Sequence, residues 1–324
     1  MTALTCREAS RLALAEAMRR DDRVWLLGED LGRGGVFGQY RGLVEEFGPE
    51  RVVDTPISEG GILGAAVGAA LLGTRPVVEM RFSDFALCAV DELVNQAAKI
   101  RYMFGGQGRV PLVVREPVGM WRSSAAQHSQ SLEAWYVHVP GLVVVAPATP
   151  ADVRALLDAA IRCDDPVVFM EHKDLWDLSG EVPAVPEPAL LGSARLARPG
   201  TDVTVVSWSA TVHEALRAAA ALDDVSVEVV DLRTLWPWDA AAVLRSVAKT
   251  GRLLVAHEAV QVGGLGAEIA AHVAEHGADL LRGPVRRLGA PRVPVPYAPD
   301  LEAQVRVTAD LIAGKVREMM RDDG

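Results

Sequence analysis

Three short segments hold the residues best suited to chemistry. In DTPISEGGILGAAVGAALLG (54–73) an apolar run stops at Thr55-Pro56, Ser58 can cap, and a glycine–alanine helix is expected to start near Glu59. Gly60, Gly64 and Gly68 recur every four residues and share one helix face, a smooth strip where another backbone can approach closely. On residue type alone Glu59 reads first as a charge that complements the helix dipole, worth ~0.3–1 kcal/mol. The same placement also aims a carboxylate at a ligand held between two subunits. In SSAAQHSQSLEAWYVHVPG (123–141), His128 lies between Gln127 and Ser129. A histidine in such a polar loop stays solvated and titrates near neutrality, which suits proton transfer as well as it suits a plain loop position. His138, beside Pro140, is expected to be structural, and His213, His272 and His276 fall on exposed helical faces without a role. No histidine pair has metal-ligand spacing with a companion carboxylate. The glycine-rich GRGGVFG (32–38) and GGLGAEI (263–269) complete neither the dinucleotide fingerprint nor a P-loop, so tight turns explain them.

These segments need elements to hold them. Short apolar runs recur at 24–30, 51–56, 75–82, 110–117, 142–147 and 166–171, with helical patterns at 59–73, 87–104 and 150–162 between them. Strands that are apolar throughout, alternating with helices, predict a parallel sheet covered on both faces. The opening stretch, from Leu4 through Ala9, Leu12, Ala13 and Ala17, reads as an amphipathic helix. Around 178–200 the periodicity fails and Pro183, Pro186, Pro188 and Pro199 cluster, which marks a linker. Strand runs then resume at 204–209, 227–232, 252–258 and 285–289, with helices at 210–222, 238–248, 264–276 and 300–320. The fold class is therefore α/β, with two doubly wound domains, 1–185 and 197–324, joined by a proline-rich linker at 186–196.

Composition narrows the function classes. Half of the 324 residues are apolar and 23% are charged, as in a globular protein with a large core. The net charge of −10 disfavours nucleic acid or an anionic membrane as partner. Cys6, Cys88 and Cys163 fit neither a disulfide framework nor a zinc pattern and are each expected to be buried. The polar start has no signal-peptide core, and the longest small-apolar run is too short to span a bilayer, so the protein is expected to be cytoplasmic.

GED at 28–30, DTPISE at 54–59, RFSDFA at 81–86, QHSQ at 127–130, AIRCDDPVVFME at 160–171, VVDLRTLWPWD at 229–239, SVAKTGRLLVAHE at 246–258 and PVPYA at 294–298 occur in order along the chain. Over essentially its whole length the sequence resembles the β subunit of the thiamine-diphosphate-dependent E1 component of 2-oxo acid dehydrogenase complexes, the family of the pyruvate, branched-chain 2-oxo acid and acetoin dehydrogenases. The resemblance implies an N-terminal pyrimidine-binding, transketolase-like domain and a transketolase C-terminal domain. The latter serves subunit contact and docking of the acyltransferase core rather than chemistry. Thiamine diphosphate uses its own aminopyrimidine as base, and this needs a carboxylate on the opposite ring nitrogen, a charge-assisted hydrogen bond. Glu59 matches that residue, Phe85 matches the aromatic that stacks on the pyrimidine, and Glu29, Ile57 and Ser58 match positions lining the pocket. His128 matches the histidine that serves proton transfer during acyl transfer to a lipoyl group. Leu112, Ala160, Ile161, Cys163 and Asp165 align with a structural potassium loop built largely of backbone oxygens.

The family's diphosphate site is a GDG followed by Asn that grips Mg²⁺, and no GDG occurs in these residues. The expectation is a partner E1 α subunit that supplies the Mg²⁺ and diphosphate half, in an α2β2 assembly, with a lipoyl-bearing acyltransferase or carrier protein as acceptor. Three departures stand out. Arg81 replaces a residue usually neutral, Met120-Trp121-Arg122-Ser123-Ser124 replaces a glycine-rich loop, and Cys163 replaces an acid. Arg81 and Arg122 beside the pocket would favour a polar or anionic substrate. They keep open transketolase-like transfer of a two-carbon ketol unit from a ketose phosphate to a lipoyl or carrier acceptor. A non-catalytic scaffolding paralogue is the remaining alternative, although a scaffold needs neither Glu59 nor His128.

Overall fold

A computed structural model of the chain describes residues 1–185 and 189–321. Residues 186–188, the start of the expected linker with Pro186 and Pro188, lie outside the described residues. The chain divides into two compact units, Met1–Val118 with Trp135–Leu191, and Gly119–Ala134 with Gly192–Gly324. The segment that carries Arg122 and His128 thus belongs with the second unit, although the sequence division places it inside 1–185.

The first unit contains β1 (Thr2–Thr5), β2 (Val24–Gly28), β3 (Val52–Asp54), β4 (Arg75–Glu79), β5 (Val113–Val118), β6 (Val143–Val145), β7 (Val167–His172) and β8 (Ser179–Val182). Six of these lie parallel in the order β6-β7-β5-β4-β2-β3. Their Val-rich sequences suit strands buried on both faces. The helices Cys6–Arg20 and Pro150–Arg162 pack on each other, and Leu14, Met18, Leu156, Leu157 and Ile161 form one core with Leu26, Val77, Val113 and Phe169 of the sheet. Leu4 is in β1, antiparallel to β8, and not in the opening helix. The reason is a capping box at Thr5 and Glu8, which starts that helix at Cys6. The expected helix 87–104 is divided into a 3₁₀ turn Leu87–Ala89, a π-helical stretch Asp91–Ala97 and an α-helix Ala98–Met103. Of the cysteines only Cys6 is buried; Cys88 is exposed and Cys163 is partly covered.

The second unit contains β9 (Arg195–Arg198), β10 (Val203–Ser207), β11 (Val227–Asp231), β12 (Thr234–Trp236), β13 (Leu253–Val260) and β14 (Arg286–Ala290). Its sheet runs β14-β13-β10-β11-β9, parallel except at β9. The proline-rich stretch read as a linker therefore contributes strands at both ends, β8 and β9. The expected C-terminal helix is two helices, Pro299–Val305 and Ala309–Arg321. Arg306 turns to extended backbone, and Thr308 accepts from Leu311 N–H at 3.4 Å to open the second helix.

Candidate active site

β3, β2 and β4 are neighbours, and the segments after their C-terminal ends carry six of the expected site residues. Glu29 follows β2, Ile57, Ser58 and Glu59 follow β3, and Arg81 and Phe85 follow β4. Ligands of open α/β sheets bind outside the carboxyl ends of the strands, which is where this set lies. The ends are held closely. Gly28 pairs with both Asp54 and Glu79, and a Cβ there would lie 2.8 Å from the Glu79 carbonyl oxygen, so only glycine fits. Thr55 N–H donates to the Gly28 carbonyl at 3.0 Å, and Gly32 N–H to the Asp54 carboxylate at 2.9 Å.

Glu59 is the first residue of the helix Glu59–Leu71 and is half-buried. Ser58 occupies the capping position, but its side chain makes no capping bond, contrary to expectation. Ile57 beside it is 79% exposed. Phe85 is half-buried and edge-on to Phe82, ring centroids 5.6 Å apart. Thr55 Oγ1 is buried there without a hydrogen-bond partner. The glycine strip runs from covered to open: Gly60 lies under the Cys88 carbonyl and Glu92, Gly64 lies beside Glu92, and Gly68 faces open space.

Arg81 is brought against Glu29. Its Nε donates to the Glu29 carboxylate at 3.2 Å, and its second arm pairs with Asp30. Two acids thus compensate the Arg81 guanidinium, one of the two arginines on which the anionic-substrate reading leaned. Arg122 is exposed and stacks on Trp121 at 4.9 Å, while His128 is half-buried.

Two buried acids behind these loops escaped the sequence reading. Glu79 accepts from Gln39 at 3.0 Å and from Tyr40, and faces Arg115 at 3.4 Å; Arg115 also holds Glu171 and Ser10. Burial pushes Glu79 up, against the pull of Arg115, to about 7. Glu116 accepts from Ser83 Oγ at 2.7 Å, and burial raises it to about 8 against that hydrogen bond. The signal was a charge inside an apolar strand run, VVE and VVRE, positions that stay charged or polar in a core only for a reason. Glu116 holds its proton in the folded chain over a range where the unfolded chain has lost it. Its contribution therefore lowers stability as pH rises from about 4.5 to about 8, by up to ~1.4 kcal/mol per pH unit. Glu116→Gln cannot ionise and keeps a partner for Ser83. Its unfolding midpoint is expected to fall less than the parent's between pH 5 and pH 8; parallel curves would show that Glu116 is not the group responsible.

The oxygens expected to bind potassium already have donors within the chain. The Ile161 and Cys163 carbonyls each accept from the Arg75 guanidinium at 3.0 Å, and its other arm pairs with Asp164 at 2.6 Å. The Leu112 carbonyl accepts from Val167 N–H at 2.8 Å, the Ala160 carbonyl from Cys163 N–H at 3.1 Å, and the Asp165 carboxylate from Arg101. A cavity of about 450 Å³ beside the loop is lined by Arg20, Arg23, Arg75 and Arg162 with Asp21, Val24 and Ile161. A covalently attached cation already sits where the loop would hold a free one.

The family called transketolase, pyrimidine binding domain, matches residues 2–177, and transketolase, C-terminal domain, matches residues 192–312. A solved structure described as a split gene transketolase, inactive beta4 tetramer, has the same fold: TM-score 0.79 at 23% identity over 97% of each chain. The 2-oxoisovalerate dehydrogenase subunit beta of Bacillus subtilis (strain 168) is 44% identical over 98% of this chain and 99% of its own length. The pyruvate dehydrogenase E1 component subunit beta of Rickettsia felis is 45% identical over 92% and 93%. Fold and family matches together define a chain of two transketolase-type domains, the first of them a pyrimidine binding domain. The chain belongs to the family of E1 β subunits of 2-oxo acid dehydrogenase complexes, enzyme components that depend on thiamine diphosphate and work with an α subunit. Among the described residues no helix is long and apolar enough to cross a membrane.

Proposed function

We propose that this chain is the β half of an α2β2 E1 enzyme that decarboxylates a 2-oxo acid and passes the acyl group to a lipoyl group on an acyltransferase or carrier protein. The observation that carries the reading is Glu59 at a helix start beside exposed Ile57, with Phe85 supplied from the end of a nearby strand. A carboxylate, an apolar side chain and an aromatic ring from adjacent loops are the donor set that an aminopyrimidine requires, and buried Thr55 Oγ1 still lacks a partner there. Glu59, with Glu29, Ile57, Ser58 and Phe85, would hold that ring. Bound thiamine diphosphate supplies the electron sink for cleaving the bond next to the substrate carbonyl. The Mg²⁺ and the diphosphate are assigned to the α subunit.

Within this chain the roles divide simply. Glu59 lies at the positive end of its helix and offers its carboxylate as acceptor. Glu29 is 8% exposed and is steadied in place by Arg81. His128 moves a proton as the acyl group leaves for its acceptor. The test is co-expression with an E1 α subunit and an assay with thiamine diphosphate and Mg²⁺ against pyruvate, branched-chain 2-oxo acids, acetoin and a ketose phosphate. Turnover of a 2-oxo acid supports the proposal, and turnover of the ketose phosphate alone overturns it.

A further inference from the structure

We infer that the second unit sets the shape of the His128 segment through two carboxylates, Glu258 and Glu302, which act as positioning residues for the reaction. The inference rests on the reading of His128 as an active-site group, and it gives a chemical task to a domain otherwise expected only to make contacts.

The segment Gly119–Ala134 carries unusual backbone geometry. Arg122, Ser123 and Ala125 have φ of 45°, 57° and 63°, three non-glycine residues in the left-handed region within four positions. Side chains of this hand disfavour that region, so such a run persists only where its surroundings over-determine it. Backbone bonds inside the segment span three to eleven residues. Ser124 N–H donates to the Trp121 carbonyl at 3.0 Å, His128 N–H to the Ala125 carbonyl at 3.4 Å, and Gly119 N–H to the Gln130 carbonyl at 3.3 Å.

The rest of the second unit supplies the missing restraints at three points. Glu258, in β13, accepts from Met120 N–H at 2.7 Å. Glu302, in the helix Pro299–Val305, accepts from Ser123 N–H at 2.9 Å. Glu133 accepts from Trp208 Nε1 at 3.2 Å on the far side of His128. Glu302 is 6% exposed, and its other oxygen is gripped by Arg306 at 2.7 Å, so it cannot follow the loop if the loop moves. Met120 is buried in a small apolar cluster with Ala290, Val295 and Val305. A charged acceptor on a backbone N–H is among the stronger restraints available to a loop, and these two act at Met120, just before the left-handed run, and at Ser123 within it, ahead of His128. Neither carboxylate is needed to touch substrate; each acts through the backbone that it fixes.

The α/β assembly with Glu302→Asp and Glu302→Gln, alongside His128→Ala, tests this. Aspartate keeps the charge for Arg306 but withdraws the oxygen from Ser123 by one methylene, whereas glutamine retains reach and an acceptor oxygen. Glu302→Asp is expected to speed amide exchange at 120–125 and to lower kcat with a lipoyl acceptor roughly tenfold, because small displacements of a working group cost rate steeply. Coenzyme affinity is expected to stay unchanged, and Glu302→Gln, with one acceptor oxygen for the two donors Ser123 and Arg306, to lie between the parent and Glu302→Asp on both readouts. Unchanged exchange, or faster exchange with full turnover, while His128→Ala is inactive, overturns the positioning role and leaves the reading of His128 standing. Full turnover by His128→Ala overturns both.

Discussion

Glu59→Gln is expected to lower turnover by about 10²–10⁴-fold while the α/β assembly forms as before. Glutamine has the same shape and remains acceptable at the first position of the helix Glu59–Leu71, so the strand–loop–helix junction has no cause to rearrange. What disappears is the full negative charge. If Glu59 served only the helix dipole, its loss would cost ~0.3–1 kcal/mol of stability and nothing in rate. The two roles therefore separate by readout: turnover for one, unfolding midpoint for the other. Size-exclusion chromatography with steady-state kinetics on the same preparation decides between them, and a fully active Glu59→Gln enzyme would leave only the dipole role.

His128→Ala is the second large effect. Acyl transfer to a lipoyl acceptor is expected to fall by about 10²–10⁴-fold, since a positioned proton-transfer group is lost from a step that needs one. Decarboxylation followed with a small artificial oxidant avoids the lipoyl step and is expected to fall much less. A scaffolding protein would show no dependence on either residue. Equal loss in both assays would move His128 from acyl transfer to decarboxylation or binding, and no loss in either would remove it from the site.

Much of this was legible in the chain because buried parallel strands are apolar throughout and end at recognisable turns. VWLLG, RPVVE and VVREPV read directly as β2, β4 and β5, and Glu59 was placed at its helix start by Ser58 and the glycines that follow. Other features were hidden for physical reasons. Leu4 looks helical until Thr5 and Glu8 are recognised as a capping box. The restraints on the His128 segment pair carboxylates with backbone N–H groups 138 and 179 residues away, and a backbone donor carries no mark in sequence. Arg81 was read as an uncompensated charge because its partners Glu29 and Asp30 lie 52 and 51 positions earlier. Arg75 is equally unmarked, since it reaches carbonyls of the expected potassium loop 86 and 88 residues along the chain.

Titration of thiamine diphosphate with Mg²⁺ into the purified chain, and separately into its complex with the α subunit, followed by calorimetry with turnover measured in parallel, bears most directly on the shared coenzyme pocket. Tight, saturable binding and catalysis in the complex, with neither in the chain alone, is the predicted result. Stoichiometric binding and full turnover by the unaccompanied chain would contradict the account.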